Sequence, residues 1–189
     1  RRFLYFVAGM DAHQQLEGGG FIRCVEQAGF RCDVMLHPAS WGGDVRKWVR
    51  MRKAMNTLLD SVQPPAAVYT EYPVVAQSLA DLCADRGLHV PQDVAIISGF
   101  DDPVICERAT PSITSPDHNF QRVGYEAAGL LDQLMNGNSP PKEPILIPPA
   151  GVIQRASTDF FAVENDLVAR TMRYIAANLH KRINVHDAV

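Results

Sequence analysis

The sequence is short of the features that announce chemistry. Its four cysteines, Cys24, Cys32, Cys83 and Cys106, include no Cys-x-x-Cys pair. A zinc ribbon or a redox dithiol is therefore not written in the chain. Buried, reduced thiols in a reducing cytoplasm are the reading for them. The histidines, at 13, 37, 89, 118, 180 and 186, are scattered, without the close pairing of metal motifs. No Gly-x-Ser-x-Gly elbow and no phosphate loop ending in Gly-Lys-Ser/Thr occurs. Gly18-Gly19-Gly20 falls inside a helical pattern, not directly after a strand, so it lacks the setting of a phosphate cradle. The expectation is no catalytic residue, no metal, no cofactor and no enzyme. No apolar run is long enough to span a bilayer, and no secretory leader opens the chain. The chain starts without Met on Arg1-Arg2 and a strand-like run, which reads as a start inside a domain, so the missing leader weighs little.

What is present is ordinary for a globular protein. Hydrophobic residues make up 47% of the 189 and charged residues 21%, with a net charge of -3. That balance excludes a strongly cationic nucleic-acid binder over the whole length. Short apolar runs alternate with amphipathic stretches. Phe3–Ala8, Cys32–Leu36, Ala66–Thr70 and Asp93–Gly99 read as strands. Between them, helices are expected at about 13–28, 41–60 and 74–86, with Gly29 and Gly87 as stops. Strand-helix alternation with short connections implies an α/β fold with a parallel sheet and helices on both faces. Ligands of such sheets bind at the carboxyl ends of the strands.

The character changes after Pro111. Ser112–Pro116 looks extended, Phe120–Met135 helical, Ile145–Ile147 a short strand between prolines, and Gly151–Arg155 extended again. Residues 159–165 read as a linker. A last helix is expected over 166–179, with Asn165 as its cap, Val168, Met172, Ile175 and Leu179 on one face, and His180-Lys181-Arg182 closing it.

Residue chemistry at the carboxyl ends singles out three loops. They are Gly9–His13 after the first strand, Glu71-Tyr72-Pro73 after the third, and Phe100–Pro103 after the fourth. Adjacent carboxylates at Asp101-Asp102 are costly if buried alone, whereas a polyol offers hydroxyl donors to them. An Asx turn or helix cap before Val104 accounts for the same pair. Tyr72 can stack on a sugar or simply pack on the sheet edge. Trp41 and Trp48 read as packing residues.

Three stretches carry a resemblance. "PPAAVYTEYPVVAQSLADLCADRGLHVPQDVAIISGFDDP", "SITSPDHNFQRVGYEAAGLL" and "ILIPPAGVIQRAST" resemble the effector-binding domain of LacI/GalR-type regulators. That resemblance implies the periplasmic-binding-protein-like fold over 1–158, two α/β subdomains with a sugar between them, and 117–147 returning to the N-terminal subdomain. "DLVARTMRYIAANLHKRINVHDAV", residues 166–189, resembles the opening of an AraC/XylS-type helix-turn-helix domain, which is all-α. A LacI-like sensor followed by an AraC-type domain resembles the xylose operon regulators as a group. It implies a cytoplasmic, dimeric, D-xylose-dependent activator that meets operator DNA through the AraC-type part and no membrane. A solute-binding receptor of a sugar transporter shares the sensor fold and is the alternative.

For site residues the resemblance points to Asp101, the first aspartate of Gly-Phe-Asp-Asp, and to Tyr72 with Glu71 beside it. The position three before a Gly-Phe pair, arginine in that family, is Glu17 here. A glutamate accepts from hydroxyls but cannot copy an arginine fork. His13, from the first loop, completes the candidate set. Most of one cleft wall is expected before Arg1, and both DNA-recognition helices after Val189.

Overall fold

The computed structural model describes residues 2–7, 12–36, 45–159, 166–178, 180, 181, 183 and 184. Four strands, β1 (Arg2–Val7), β2 (Cys32–Leu36), β3 (Ala66–Thr70) and β4 (Val94–Ser98), form a sheet in the order β2-β1-β3-β4. All three pairings are parallel, with Tyr5 opposite Val34 and Tyr69, and Val68 opposite Ile96. The expected α/β sheet is therefore present, with no strand end shifted by more than one residue.

Period-two alternation decides which side chain meets which layer. Tyr5, Val7 and Tyr69 point to one face, where Phe21 and Ile22 of helix α1 (Ala12–Gln27) pack on them. Leu4, Phe6, Val68 and Ile96 point to the other. There α2 (Val45–Ser61) contributes Met51, Met55, Leu58 and Leu59, and α3 (Pro73–Asp85) contributes Val75, Ala76, Leu79 and Cys83. Both faces are covered, and the larger core lies on the α2/α3 side.

The order 2-1-3-4 places a topological switch between β1 and β3. A crevice opens at such a point, because the connections leave in opposite directions. The Glu71-Tyr72 corner stands on its β3 side. The β1 side, residues 8–11, lies outside the described residues, as do Trp41, Asn165 and most of the expected linker.

Beyond β4 a short helix α4 (Pro103–Cys106) leads to β5 (Ser115–Asp117), then α5 (Phe120–Met135), then β6 (Gly151–Ile153) paired antiparallel to β5. A single 3-10 turn, Ala156–Thr158, follows, and α6 (Asp166–Ala177) is the last described helix. The start of α4 matches the helix-cap alternative offered for Asp101-Asp102, whereas the 3-10 turn is not foreshadowed in the sequence. The strand expected at Ile145–Ile147 does not form; the segment 138–150 is irregular. Pro144, Pro148 and Pro149 have no N–H to give to a ladder, and no described strand pairs with it. The thiols also divide: Cys83 and Cys106 are buried, but Cys24 is exposed on α1, against the expectation of burial. Burial pushes the Cys83 thiol up to about 11, so it stays protonated.

Helix α5 differs from the others. It has an apolar stripe but no buried residue. Phe120, Leu131 and Met135 are exposed, and Leu146 beyond it is 86% exposed. Segment 140–147 folds back along α5 and leaves an apolar cavity of about 480 Å³ lined by Val123, Ala127, Leu130, Ile145 and Ile147. Stability therefore resides in the sheet core. Leu79→Ala, at a fully buried position, is expected to cost about 2–5 kcal/mol in urea unfolding. Leu146→Ala in this chain is expected to stay within about 0.5 kcal/mol.

Candidate functional site

The Asp101-Asp102 pair sits where β4 ends, and the two carboxylates have different duties. Asp102 is the N-cap of α4: its Oδ1 accepts from Val104 N at 2.9 Å. The cap reading of the pair therefore holds for Asp102, and Asp101 is turned to other partners. Asp101 Oδ1 accepts from Ser115 Oγ at 2.5 Å and from Arg155 Nη1 at 2.9 Å. The side chains of Arg155 and Asp101 are 10% and 15% exposed. Burial alone would raise the Asp101 carboxyl. The hydrogen bonds from Ser115, Arg155 and Cys106, with the Arg155 charge, outweigh it and hold the carboxyl below its usual range. Asp101 is thus a carboxylate kept ionised in a half-dry place, which suits an acceptor for hydroxyl donors.

Three aromatic rings meet where the residue before Asp101 faces the start of α5. Phe100 precedes Asp101, and His118 and Phe120 lie where β5 passes into α5. His118 stacks on Phe120 with centroids 5.2 Å apart and planes 9° from parallel. Phe100 approaches His118 at 5.5 Å and Phe120 at 5.7 Å. Phe100 and Phe120 keep 40% and 56% of their surface exposed. Nδ1 of His118 is buried and has no hydrogen-bond partner. A buried polar atom with no protein partner calls for an explanation, and a ligand hydroxyl supplies one.

The second cluster lies on the α1 side. The Tyr69 hydroxyl donates to Glu17 Oε1, joining β3 to α1. Burial pushes the Tyr69 phenol far up, and the hydrogen bond to Glu17 adds to it, so Tyr69 remains a donor. Glu71 acts on the same phenol electrostatically, which places it in the neighbourhood. The pair sits over Gly99, where any Cβ would collide with Glu17 Oε1 and the Tyr69 hydroxyl. Gly18 is equally constrained: a Cβ there would run into the Tyr5 ring. The Gly18-Gly19-Gly20 run inside the helix therefore includes one glycine that lets α1 lie close on the sheet.

Of the five residues expected at the site, the structure places four at this edge. Asp101 is in the β4 corner, Glu17 is tied to Tyr69, Glu71 is 5% exposed after β3, and Tyr72 is 38% exposed at the N-cap of α3. His13 falls in the first turn of α1, and its side chain lies outside the described residues. Sequence reasoning missed Arg155, Ser115, Tyr69, Phe100, His118 and Phe120. Only Phe100, next to Asp101, carried a local signal.

Comparison with known proteins places these features. The family described as periplasmic binding protein-like domain matches residues 1–158. A xylose operon regulatory protein of Haemophilus influenzae is 28% identical over 140 residues, 74% of this chain and 36% of that protein. The repressor CytR of Escherichia coli is 34% identical over 111 residues, 59% of this chain and 32% of that protein. This chain thus spans about a third of the length of these relatives. Among solved structures, a xylose-binding transcription activator, xylR, superposes with a TM-score of 0.78 at 22% identity, over 100% of this chain and 50% of that one. A LacI-type regulator from Alkaliphilus metalliredigens in complex with D-xylulofuranose gives 0.65 at 18% identity, over 83% of this chain and 56% of that one.

Tyr69→Phe removes the donor from a part-buried carboxylate. It is expected to lower stability by about 1–3 kcal/mol in chemical denaturation.

Proposed function

Because the chain belongs to the periplasmic binding protein-like family, we propose that it is the effector-sensing part of a sugar-responsive transcription regulator. Its effector is a pentose, D-xylose first among candidates. The observation that carries this is the Asp101 corner: an ionised, donor-organised carboxylate at the end of β4, directly after Phe100, whose exposed ring meets Phe120 and the ring of His118 with its unpartnered Nδ1. A sugar matches that chemistry on both counts. Its hydroxyls donate to a carboxylate, and its C–H faces lie on aromatic surface. The similarity to xylose operon regulatory proteins supports the pentose assignment.

In this reading Tyr72, Glu71 and Glu17 line the same cleft, with His13 at its rim. Residues 117–147 belong with a second subdomain that supplies the facing wall. The exposed apolar stripe of α5 supports that assignment, since such a stripe is normally covered. Residues 159–165 link the sensor to an AraC-type domain that begins at 166. Through it a cytoplasmic homodimer meets operator DNA and acts as an activator. No described helix is long and apolar enough to cross a membrane. The two curated relatives named above are regulators, which favours a regulator over an enzyme or a transport receptor.

Two experiments test this. D-xylose is expected to raise the melting temperature of the intact regulator, and Asp101→Ala to abolish that rise. An undiminished rise in the variant would remove Asp101 from the site. The 189-residue chain alone is expected to give no operator-specific shift in low-salt electrophoresis, and a specific shift would refute the placement of the DNA-reading helices beyond it.

A further inference from the structure

Arg155 is the least expected member of the site. It follows β6, 54 residues after Asp101, yet its Nη1 sits among three oxygens. It donates to Asp101 Oδ1 at 2.9 Å, to the Ile113 carbonyl at 2.8 Å and to Ser115 Oγ at 2.8 Å. Ser115 Oγ in turn donates to the same Asp101 oxygen at 2.5 Å. The backbone of Arg155 is fixed as well. Its N–H donates to Thr114 Oγ1 at 2.8 Å, and its carbonyl accepts from that hydroxyl at 3.1 Å. The guanidinium therefore cannot swing away without breaking the β5 contacts.

We propose that Arg155 is the positioning residue of the sugar-binding carboxylate: with Ser115 it fixes Asp101 through Oδ1 and so sets the orientation in which Asp101 meets the ligand. The proposal rests on the sugar-sensing reading given above. The role assigned to Arg155 rests on its Nη1, whose donors are directed to Asp101, Ser115 and the Ile113 carbonyl.

Among the described residues, the groups that act on Asp101 are few. Arg155 approaches from the end of β6, and the Ser115 hydroxyl from β5. The Cys106 thiol approaches from α4, and Asp102 is its sequence neighbour. Glu107 stands 3.9 Å from Arg155 Nη2. Burial raises the Asp101 carboxyl and these donors lower it, the donors prevailing. A group with a depressed value keeps its charge as pH falls, until that lower value is reached. Ligand binding that needs the carboxylate is then flat through mildly acidic pH. Without Arg155, burial regains the upper hand, and protonation begins at higher pH.

The test is calorimetric binding of D-xylose to the intact regulator between about pH 7.5 and pH 4.5, where an unperturbed carboxylate starts to titrate. The wild type is expected to bind with nearly constant affinity over that range. Arg155→Met is expected to bind at least about tenfold more weakly at neutral pH and to lose a further several-fold on acidification. Arg155→Lys keeps a charge and three donors. It is expected to recover most of the neutral-pH affinity and to show an intermediate acid limb. A merely structural role would lower affinity by one factor at every pH, with no displaced limb. That result, or affinity within twofold of wild type in Arg155→Met, overturns the proposal. If Arg155→Met does not melt cooperatively, the acid limb of Arg155→Lys decides: an unshifted limb is fatal. Failure of the wild type to bind any pentose overturns the sugar-sensing reading itself, which is a different outcome from a wild type that binds and an Arg155 variant that binds equally well.

Discussion

The Asp101–Arg155 ion pair is the contact on which this edge of the molecule depends. Both side chains are largely withdrawn from water. Desolvating two charges costs several kcal/mol each, and only good geometry with further hydrogen bonds offsets it. The structure supplies them from three stretches far apart in sequence. Ser115 and the Ile113 carbonyl come from the segment around β5, and the Arg155 backbone is held by Thr114. Ser157, fully buried, donates to the Ile96 carbonyl at 2.6 Å and accepts from Thr114 N at 2.9 Å. Removing one member of such a pair leaves the other charge buried alone, at a cost of about 3–5 kcal/mol. The node thus accounts for how β5 and β6, two short strands with few ladder bonds of their own, hold one geometry against β4.

The second constraint is close approach. Helix α1 reaches the sheet through Gly18, whose missing side chain leaves room for Tyr5. That depth brings Glu17 over Gly99, within reach of the Tyr69 hydroxyl. The glutamate is thereby turned from a surface charge on a helix into a part of the sheet's carboxyl edge. A parallel sheet concentrates its strand ends at one edge, and the reversal between β1 and β3 opens a crevice there. Glu17, Glu71 and Asp101 reach that edge from different elements without touching in sequence.

Much of this architecture was legible in the amino-acid order. Short apolar runs marked β1 to β4, and glycine stops marked the ends of α1 and α3. The Gly-Phe-Asp-Asp corner drew attention to Asp101 by both chemistry and resemblance. Short-range pattern failed where local signals conflicted or where the partner was remote. Ile145–Ile147 has strand composition, but its flanking prolines cannot donate to a ladder. Ser-Thr-rich segments such as 156–158 look like loops, because a buried Ser157 is intelligible only once Ile96 lies opposite. Tyr69 and Glu17 are 52 residues apart, so neither announces the other. His118 looked like one scattered histidine among six, and its stacking on Phe120 is fixed by the turn from β5 into α5.

These contacts also say where motion can and cannot enter. The β4–β5–β6 node is cross-linked through Arg155, Thr114 and Ser157 and has little freedom. Helix α5 has no buried residue, and Phe120 at its first position meets the node chiefly through His118 and Phe100. A ligand held by Asp101 and lying on these rings would touch the rigid node and the start of α5 at once. Its binding energy would then act on the relative position of the two, because the node itself cannot yield cheaply. On the sugar-sensing proposal, such binding would bias α5 against the carboxylate. The same fixed node ends at Thr158, the point from which the chain runs on toward α6.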